Sequence, residues 1–390
     1  MIILDKPYVS PLLAQTLKEL NIPVFQSGTV QIPYKEELRF INDYELFQTL
    51  TDDSPRILCN SEYGLRILEK DFLPLSSQVS AFKNKLMFRK EMKQFYPHFY
   101  FREMDAKELE SANLDDIPFP IIIKPIVGYA SMGVFKIENA EEWKSFIHMI
   151  KNSVQTSTSV FPSSVINSTS FLLEEWIEGE EFAIDAYFTS QGEPVILSIF
   201  KRLFKNNRDT ADGIYYTSKS VIQEVKESVE TFLQVVGTKY SLKSFPLHFE
   251  IRLKKDGAIV PIEINPLRFA GIGTTELGYY AFNINPYEYF FLEKKPDWDK
   301  ILSTPSDEIF SFYCAELPND ITYSDVQSIN HEGLKSQFLN ILDYRVTFCE
   351  HDITFAVVFY KSDSFHENQK IIQLDMNEFI ETKKVAEVLS

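Results

Sequence analysis

The chain has 390 residues, 44% hydrophobic and 24% charged, a balance that is typical of globular proteins and excludes a disordered or fibrous chain. Its formal net charge of −17 argues against general binding to nucleic acid or to an anionic membrane, although a local group of basic residues can still bind a small anion. No stretch approaches the ~18 consecutive apolar residues of a membrane span, and "MIILDKPYVSP" lacks the apolar run of a signal peptide. Cys59, Cys314 and Cys349 are odd in number and widely spaced, which predicts reduced thiols in a cytoplasmic protein.

The first 80 residues alternate between short apolar strands and helices. "MIILDKP", "IPVF" and "RILCN" are typical of buried strands, and "SPLLAQTLKELN" places leucines at helical spacing after a Ser-Pro helix start. This alternation predicts an α/β unit with a parallel sheet over residues 1–80. The unit lacks the glycine fingerprint of a dinucleotide site, so we do not expect it to bind a dinucleotide.

The rest of the chain mixes helices with longer strands. Residues 81–97 predict one basic amphipathic helix, and strand-like segments follow at "PFPIIIKP", "FLLEEWIEGEEFAIDAYF", "EPVILSIFKRLF" and residues 248–266. Polar stretches at 153–170 and 205–220 predict loops. Beyond residue 305, "IFSFYCAEL", "YRVTFCE" and "ITFAVVFY" predict a small C-terminal module of antiparallel strands.

The stretch "IIIKPIVGYASMGV" places a lysine, Lys124, at the end of an apolar strand and a loop of small residues after it. Gly128, Ser131 and Gly133 would let backbone N–H groups approach phosphate oxygens, and the lysine would add a positive charge. The spacing is not that of a Walker A loop. A plain turn of a hairpin is the alternative.

The stretch "LLEEWIEGEEF" surrounds Trp176 with carboxylates, among them Glu174, Glu175 and Glu181. One interpretation is a solvated connection between two strands. The other is an adenosine clamp, in which backbone beside the tryptophan contacts the base and a later carboxylate accepts from the ribose hydroxyls.

The stretch "HFEIRLKKDGAIVPIEINP" carries Glu250, Glu263 and Asn265 on two strands joined by a turn. Glu263 and Asn265 are two residues apart, so a strand sends both side chains to one face, and Glu250 can face them from the preceding strand. Hard oxygen ligands of this kind suit Mg²⁺ bound to phosphates. Solvated strand residues are the alternative.

The order of these motifs, from Lys85 through Lys124 and "EEWIEGEEF" to the final carboxylates, resembles the ATP-grasp superfamily of carboxylate–amine ligases over residues 80–285. The resemblance implies that Lys85 and Lys124 contact phosphates, with Lys83 as an alternative to Lys85, and that Gly128, Ser131 and Gly133 belong to a loop over the phosphates. It further implies that ATP contacts Glu174 at the adenine amino group, Ile177 at the ring and Glu181 at the ribose, with Glu175 and Trp176 alongside and Lys201 as a further cation. Glu250, Glu263 and Asn265 would hold one or two Mg²⁺ ions, and Arg252 or Arg268 would hold the substrate carboxylate or an acyl-phosphate.

The expected fold is α/β (α+β): an ATP-grasp fold with an N-terminal parallel α/β domain and a small β-rich C-terminal module. The expected boundaries are 1–80 for the N-terminal domain, 81–175 for a lid, 176–300 for the Mg²⁺ and phosphate part, and 301–390 for the C-terminal module. The implied function is an ATP-dependent ligase that joins a small carboxylate, such as an amino acid, to an amine. The alternatives are a carboxylase-like or kinase-like enzyme, or a non-catalytic nucleotide-binding protein. The partners expected are small-molecule substrates, neither nucleic acid nor membrane, and a homodimer stays open.

Overall fold

The computed structural model describes residues 1–52, 55–68, 75–126, 134–156, 170–206, 213–318, 321–347 and 353–383, with backbone alone for residues 106 and 151–156. Within these ranges no helix has the length and apolar character needed to cross a membrane. Three sheets matter for the candidate site, and they follow one another along the chain.

The N-terminal part is a parallel three-stranded sheet in the order β2-β1-β3, as predicted. Its strands are β1 (Ile2–Leu4), β2 (Val24–Gln26) and β3 (Leu58–Cys59), and its helices are α1 (Pro11–Glu19), α2 (Asp43–Leu50) and α3 (Glu62–Leu65), with short 3₁₀ turns at Lys35–Glu37 and Arg66–Leu68. The side chain of Ser10 accepts a hydrogen bond from the Leu13 N–H group and so caps α1.

Two consecutive helices replace the single helix predicted for residues 81–97, so that prediction is wrong. Helix α4 (Ser76–Lys83) ends before Asn84, and helix α5 (Lys85–Met92) begins after it. Asn84 has an extended backbone (ψ 104°), and its side chain accepts from the Met87 N–H group. Asparagine favours this capping geometry over a helix interior, which explains the break.

A small antiparallel sheet follows in the order β4-β7-β5-β6. Its strands are β4 (Phe101–Asp105), β5 (Ile121–Pro125), β6 (Phe135–Ile137) and β7 (Ser170–Glu175), with helices α6 (Ala106–Glu110) and α7 (Ala140–Thr156) and a 3₁₀ turn at Leu114–Asp116. Trp143 and Phe146 of α7 are buried in one core with Ile121, Ile123 and Leu173 of the strands. Helix α7 therefore covers one face of this sheet, and the other face is available for contacts with the rest of the molecule.

A large antiparallel sheet has the order β12-β11-β8-β9-β10-β13-β16-β15. Its first five strands in the chain are β8 (Glu180–Phe188), β9 (Pro194–Leu203), β10 (Ile214–Thr217), β11 (Phe245–Leu253) and β12 (Ile259–Pro266). Helix α8 (Lys219–Tyr240) covers one face, where the rings of Phe232 and Phe249 lie 5.5 Å apart. After β12 come a 3₁₀ segment (Gly271–Glu276) and helices α9 (Leu277–Phe282), α10 (Pro286–Phe291) and α11 (Trp298–Leu302).

The C-terminal segment is rich in antiparallel strands, as predicted, but three of its strands extend the large sheet. These are β13 (Ile309–Glu316), β15 (Ile341–Val346) and β16 (Thr354–Ser362). Strands β14 (Val326–Ile329) and β17 (Ile380–Thr382) form a separate pair, accompanied by helices α12 (His331–Lys335) and α13 (Phe365–Ile371) and a 3₁₀ turn at Met376–Phe379. The segment is thus joined to the large sheet through the pairing of β10 with β13.

Candidate active site

The three predicted metal ligands converge on one face of the large sheet. Glu250 on β11 lies opposite Glu263 on β12, and the next pair on that face is His248 opposite Asn265. The Asn265 Nδ2 atom donates to the Glu263 Oε1 atom at 3.0 Å. The sequence had predicted this cross-strand arrangement, and the geometry agrees with it.

The two carboxylates differ in their charge environment. Burial raises the pKa of Glu250, and the neighbouring Glu263 carboxylate raises it further, against the opposing effect of His248. Burial would also raise the pKa of Glu263, but Lys85 and Lys124, with the Asn265 hydrogen bond, lower it to about 2. Two adjacent, partly buried carboxylates repel one another, and a cation between them would relieve that repulsion.

The donor set suits magnesium better than a metal that is held by protein ligands alone. In the part of the chain that the structure describes, no group of three His, Cys, Asp or Glu side chains is arranged to hold a metal ion. Glu250, Glu263 and Asn265 instead offer two carboxylates and an amide oxygen, and Mg²⁺ usually takes a few such oxygens and completes its shell with phosphate and water.

Lys85, rather than Lys83, is directed at this group. The Lys85 Nζ atom lies 3.3 Å from the Glu263 Oε2 atom. The Lys83 Nζ atom lies 3.3 Å from Glu62, whose other oxygen is 3.4 Å from the Arg268 Nε atom. The geometry therefore favours Lys85 as the first nucleotide lysine.

Lys124 is held in a buried ion-pair network. Its Nζ atom lies 2.6 Å from the Glu174 Oε2 atom, and the other oxygen of Glu174 accepts from Arg89. Arg89 also donates to the carbonyl oxygens of Pro261 (2.6 Å) and Ile262 (3.2 Å) on β12. These contacts favour a positioning role for Glu174 over the predicted contact with the adenine amino group.

Arg89 was not among the residues predicted from the sequence. It lies four residues after Lys85 on α5 and is only 3% exposed. That spacing places both side chains on one face of the helix, which is the signal that would have identified it.

Glu181 lies on the same face as Glu250, one residue pair further along the strands, and is paired with two arginines. Its Oε1 atom lies 2.7 Å from Arg202, and its Oε2 atom lies 2.6 Å from Arg252. Arg252 also donates to the Gly179 carbonyl oxygen at 2.9 Å. Gly179 has φ +144°, and a Cβ atom there would lie 2.2 Å from the Leu253 carbonyl oxygen, so the turn before Glu181 requires glycine.

Trp176 lies between cations of the two sheets. The Lys136 Nζ atom of the small sheet is 4.1 Å from its ring centre, and the Arg252 guanidinium of the large sheet is 4.7 Å from it. Ile177 follows and is half-buried, while the Glu175 carboxylate accepts from the Tyr100 N–H group at 3.1 Å. The Glu175 side chain is therefore used to hold the start of β4.

The structure does not bring the two predicted catalytic arginines together. Arg252 contacts Glu181 and Trp176, whereas Arg268 lies close enough to Glu263 to help lower the pKa of the Glu263 carboxyl group. Arg252 is two residues from Glu250 on β11, and Arg268 follows Asn265 beyond the end of β12.

The prediction that Lys201 faces the nucleotide is contradicted by the structure. Lys201 pairs with Phe182 across β8 and β9, on the face covered by α8, and its Nζ atom lies 2.8 Å from Glu180 and 2.9 Å from Glu224. Alternation along the strand instead directs the next residue, Arg202, to the face that carries Glu181. The remaining predicted residues, Gly128, Ser131 and Gly133, lie outside the described residues.

Residues 117–276 match the model of the ATP-grasp domain. The matched range spans strands β5 to β12 and includes Lys124, Glu174, Glu181 and the three predicted metal ligands, while Lys85 lies just outside it.

Solved structures with the same fold cover nearly the whole chain. L-amino acid ligase from Bacillus licheniformis has a TM-score of 0.63 and 17% identity over 98% of both chains. N5-carboxyaminoimidazole ribonucleotide synthetase from Thermotoga maritima has a TM-score of 0.60 and 14% identity, also over 98% of both chains. The biotin carboxylase domain of Hydrogenobacter thermophilus 2-oxoglutarate carboxylase, in complex with MgADP and bicarbonate, has a TM-score of 0.60 and 13% identity over 98% of this chain and 90% of that chain.

No curated protein matched the sequence. At identities of 13–17% the structural likeness shows the fold. It confirms the predicted ATP-grasp architecture with an N-terminal parallel sheet, and the chemistry has to be argued from the site.

Proposed function

We propose that the protein is an ATP- and Mg²⁺-dependent ligase that activates a small carboxylate, such as an amino acid, and couples it to an amine. The observation that carries this proposal is the cross-strand group of Glu250, Glu263 and Asn265, with Lys85 and Lys124 beside it. Two carboxylates and an amide beside two lysines form a place for a metal-bound triphosphate.

The proposed reaction has two steps. An oxygen of the substrate carboxylate attacks the γ-phosphorus of ATP, the bond from that phosphorus to the β–γ bridging oxygen breaks, and ADP leaves. The amine nitrogen then attacks the acyl carbon, the bond to the phosphate oxygen breaks, phosphate leaves, and the nitrogen loses a proton to give the amide. Mg²⁺ would offset the negative charge on the phosphates when bound.

The residues of this chain would contribute position and charge. Lys85 and Lys124 would bind phosphate oxygens, and Glu174 would keep Lys124 in place through the contact of 2.6 Å. Arg268, beside Glu263, is the better placed of the two predicted arginines to bind the substrate carboxylate. Glu181 would accept from the ribose hydroxyls, with Arg202 and Arg252 holding its carboxylate in place.

A second candidate is an ATP-dependent carboxylation. It is favoured by the likeness in fold to a biotin carboxylase domain solved with MgADP and bicarbonate. The same ATP site would serve both reactions, and only the second would require bicarbonate.

We propose further that the parts divide near residues 80 and 175, which is supported by the separate N-terminal, small and large sheets, and near residue 300, where helix α11 precedes the C-terminal strands. Cys59 is free and buried, in keeping with a reducing compartment such as the cytoplasm. Small-molecule carboxylates and amines are the proposed partners, and gel filtration tests whether the protein forms a homodimer.

Phosphate release tests the proposed function. The protein is incubated with ATP, Mg²⁺ and pools of amino acids, with and without bicarbonate, and products are identified by mass spectrometry. We expect amino-acid-dependent release and an amide product, and Glu263→Gln should abolish turnover because it removes a charged metal ligand. Bicarbonate-dependent release would favour the carboxylase, and nucleotide binding with no release from any pool would contradict both.

A further inference from the structure

We infer that Asp185 and His248 are positioning residues that hold Glu250 in the orientation needed to bind magnesium. This inference rests on the proposed function, because it assigns a task to residues behind the proposed metal ligand. Asp185 lies outside the motifs that predicted the ATP site, and His248 begins the last of them without being assigned a role there.

The pair is aligned with Glu250 by the strands themselves. Asp185 on β8 lies opposite His248 on β11, and His248 is two residues before Glu250, so all three side chains share one face. The His248 Nδ1 atom is 2.9 Å from the Asp185 Oδ1 atom, and its Nε2 atom is 3.7 Å from the Glu250 Oε1 atom. The imidazole thus bridges two carboxylates, one of which is a proposed ligand.

Asp185 also fixes the segment that leaves the metal strand. Its Oδ1 atom accepts from the Ala270 N–H group at 2.9 Å, and Ala270 lies just beyond Arg268 in the chain. One buried carboxylate therefore orients both the strand that carries Glu250 and the loop that follows Asn265.

The chemistry of Asp185 is hard to explain by stability alone. The residue is fully buried, and its Oδ2 atom has no hydrogen-bond partner among the described residues. A buried carboxylate with an unsatisfied oxygen is costly, and an apolar pair at this cross-strand position would avoid the cost. A role in orienting a metal ligand accounts for the presence of Asp185. Residues that contact and orient metal ligands commonly affect metal affinity about 10–100-fold.

Two substitutions separate the two contacts of His248. In His248→Asn the amide takes the place of Nδ1 and keeps the contact with Asp185, whereas in His248→Gln it takes the place of Nε2 and keeps the contact with Glu250. Mg²⁺ affinity is measured by calorimetric titration at a fixed ADP concentration, and ADP affinity is measured separately without Mg²⁺. His331→Asn is the control, because His331 contacts Tyr344 in the C-terminal segment at 2.8 Å.

We expect His248→Asn, which loses the contact with Glu250, to weaken Mg²⁺ affinity about tenfold. His248→Gln and Asp185→Asn both weaken the link to Asp185 and leave a polar group beside Glu250, so each should weaken Mg²⁺ affinity about threefold. Mg²⁺-free ADP affinity should be unchanged in all three, and Asp185→Asn carries the test if His248→Asn does not fold. Equal Mg²⁺ affinity in wild type, His248→Asn and Asp185→Asn would overturn the inference.

A different result would contradict the proposed function itself. If Glu263→Gln keeps the wild-type Mg²⁺ affinity, Glu263 is not a metal ligand. A wild-type protein that binds ADP without any effect of Mg²⁺ would remove the metal site and the inference together.

Discussion

At the scale of single residues, the candidate site depends on a few buried ion pairs. Glu174 and Lys124 are about 5% exposed, and Arg89 is 3% exposed, so water screens their interaction weakly. Burial would raise the pKa of Glu174, but Arg89 and Lys124 lower it to about 2. The carboxylate is therefore ionised at neutral pH and compensates two buried cations.

Glu174→Gln should destabilise the protein by about 3–5 kcal/mol, because it leaves buried cations without their partner. Its effect should shrink as the pH falls from 4.5, the ordinary pKa of glutamate, towards 2, because protonation removes the same charge from the wild type. Urea unfolding of the wild type and the variant across this pH range measures the loss of stability and its dependence on pH. Glu178→Gln is the control: Glu178 and its partner Lys255 are 75% and 88% exposed, so it should change stability by less than about 1 kcal/mol. Equal effects of the two variants would contradict the role of Glu174.

The positions of single residues agree with the predicted arrangement where the motif itself determines the geometry. Glu250, Glu263 and Asn265 converge because strand alternation and a short turn leave little freedom. The prediction assigned the site-facing cation to Lys201, one residue before Arg202. The register that directs Arg202 to the site comes from pairing with β8, which the sequence of this strand does not show. The contacts of Glu174 with Arg89 span 85 residues of sequence, a long-range pairing that no local pattern indicates.

At the scale of elements, the break between α4 and α5 places Lys85, the proposed first nucleotide lysine. Because Asn84 caps α5, Lys85 becomes the first residue of that helix, and its N–H group donates to the Ile126 carbonyl oxygen at 3.1 Å. A continuous helix would direct Lys85 elsewhere. The basic amphipathic pattern runs through both helices, so the sequence pattern alone did not reveal the break.

Asn84→Ala should cost about 1 kcal/mol of stability through loss of the cap and should also weaken ATP affinity, because the Lys85 side chain is no longer held toward Glu263. Asn42→Ala is the matched control, since Asn42 caps α2 in the N-terminal part in the same way. It should cost similar stability and leave ATP affinity unchanged. Chemical denaturation and calorimetry measure the two quantities, and a parallel loss of ATP affinity in both variants would argue against a specific role for the break.

At the scale of the whole molecule, the small and large sheets meet at Trp176 and at Arg89. Trp176 is flanked by Lys136 from one sheet and Arg252 from the other. The sequence predicted both sets of strands but placed the C-terminal strands in a module of their own. Their union with the large sheet depends on the pairing of β10 with β13, which are about a hundred residues apart and share no local signal.

MgADP should change the fluorescence of Trp176, because an adenine between the two sheets would alter the cations beside the indole. The other two tryptophans, Trp143 and Trp298, are buried in separate cores, so replacing both with phenylalanine leaves one reporter. We expect a saturable change in that variant and none in Trp176→Phe. Unchanged emission while calorimetry records binding would place the nucleotide elsewhere.

We propose above all that Glu250, Glu263 and Asn265 hold the metal on a triphosphate beside Lys85 and Lys124. A crystal structure with a non-hydrolysable ATP analogue and Mn²⁺ is the decisive measurement, since anomalous scattering locates the metal. We expect the metal to be bound by these three side chains, with the phosphates close to the two lysines and the base beside Trp176. Metal and phosphates bound away from β11 and β12 would rule out the proposed site.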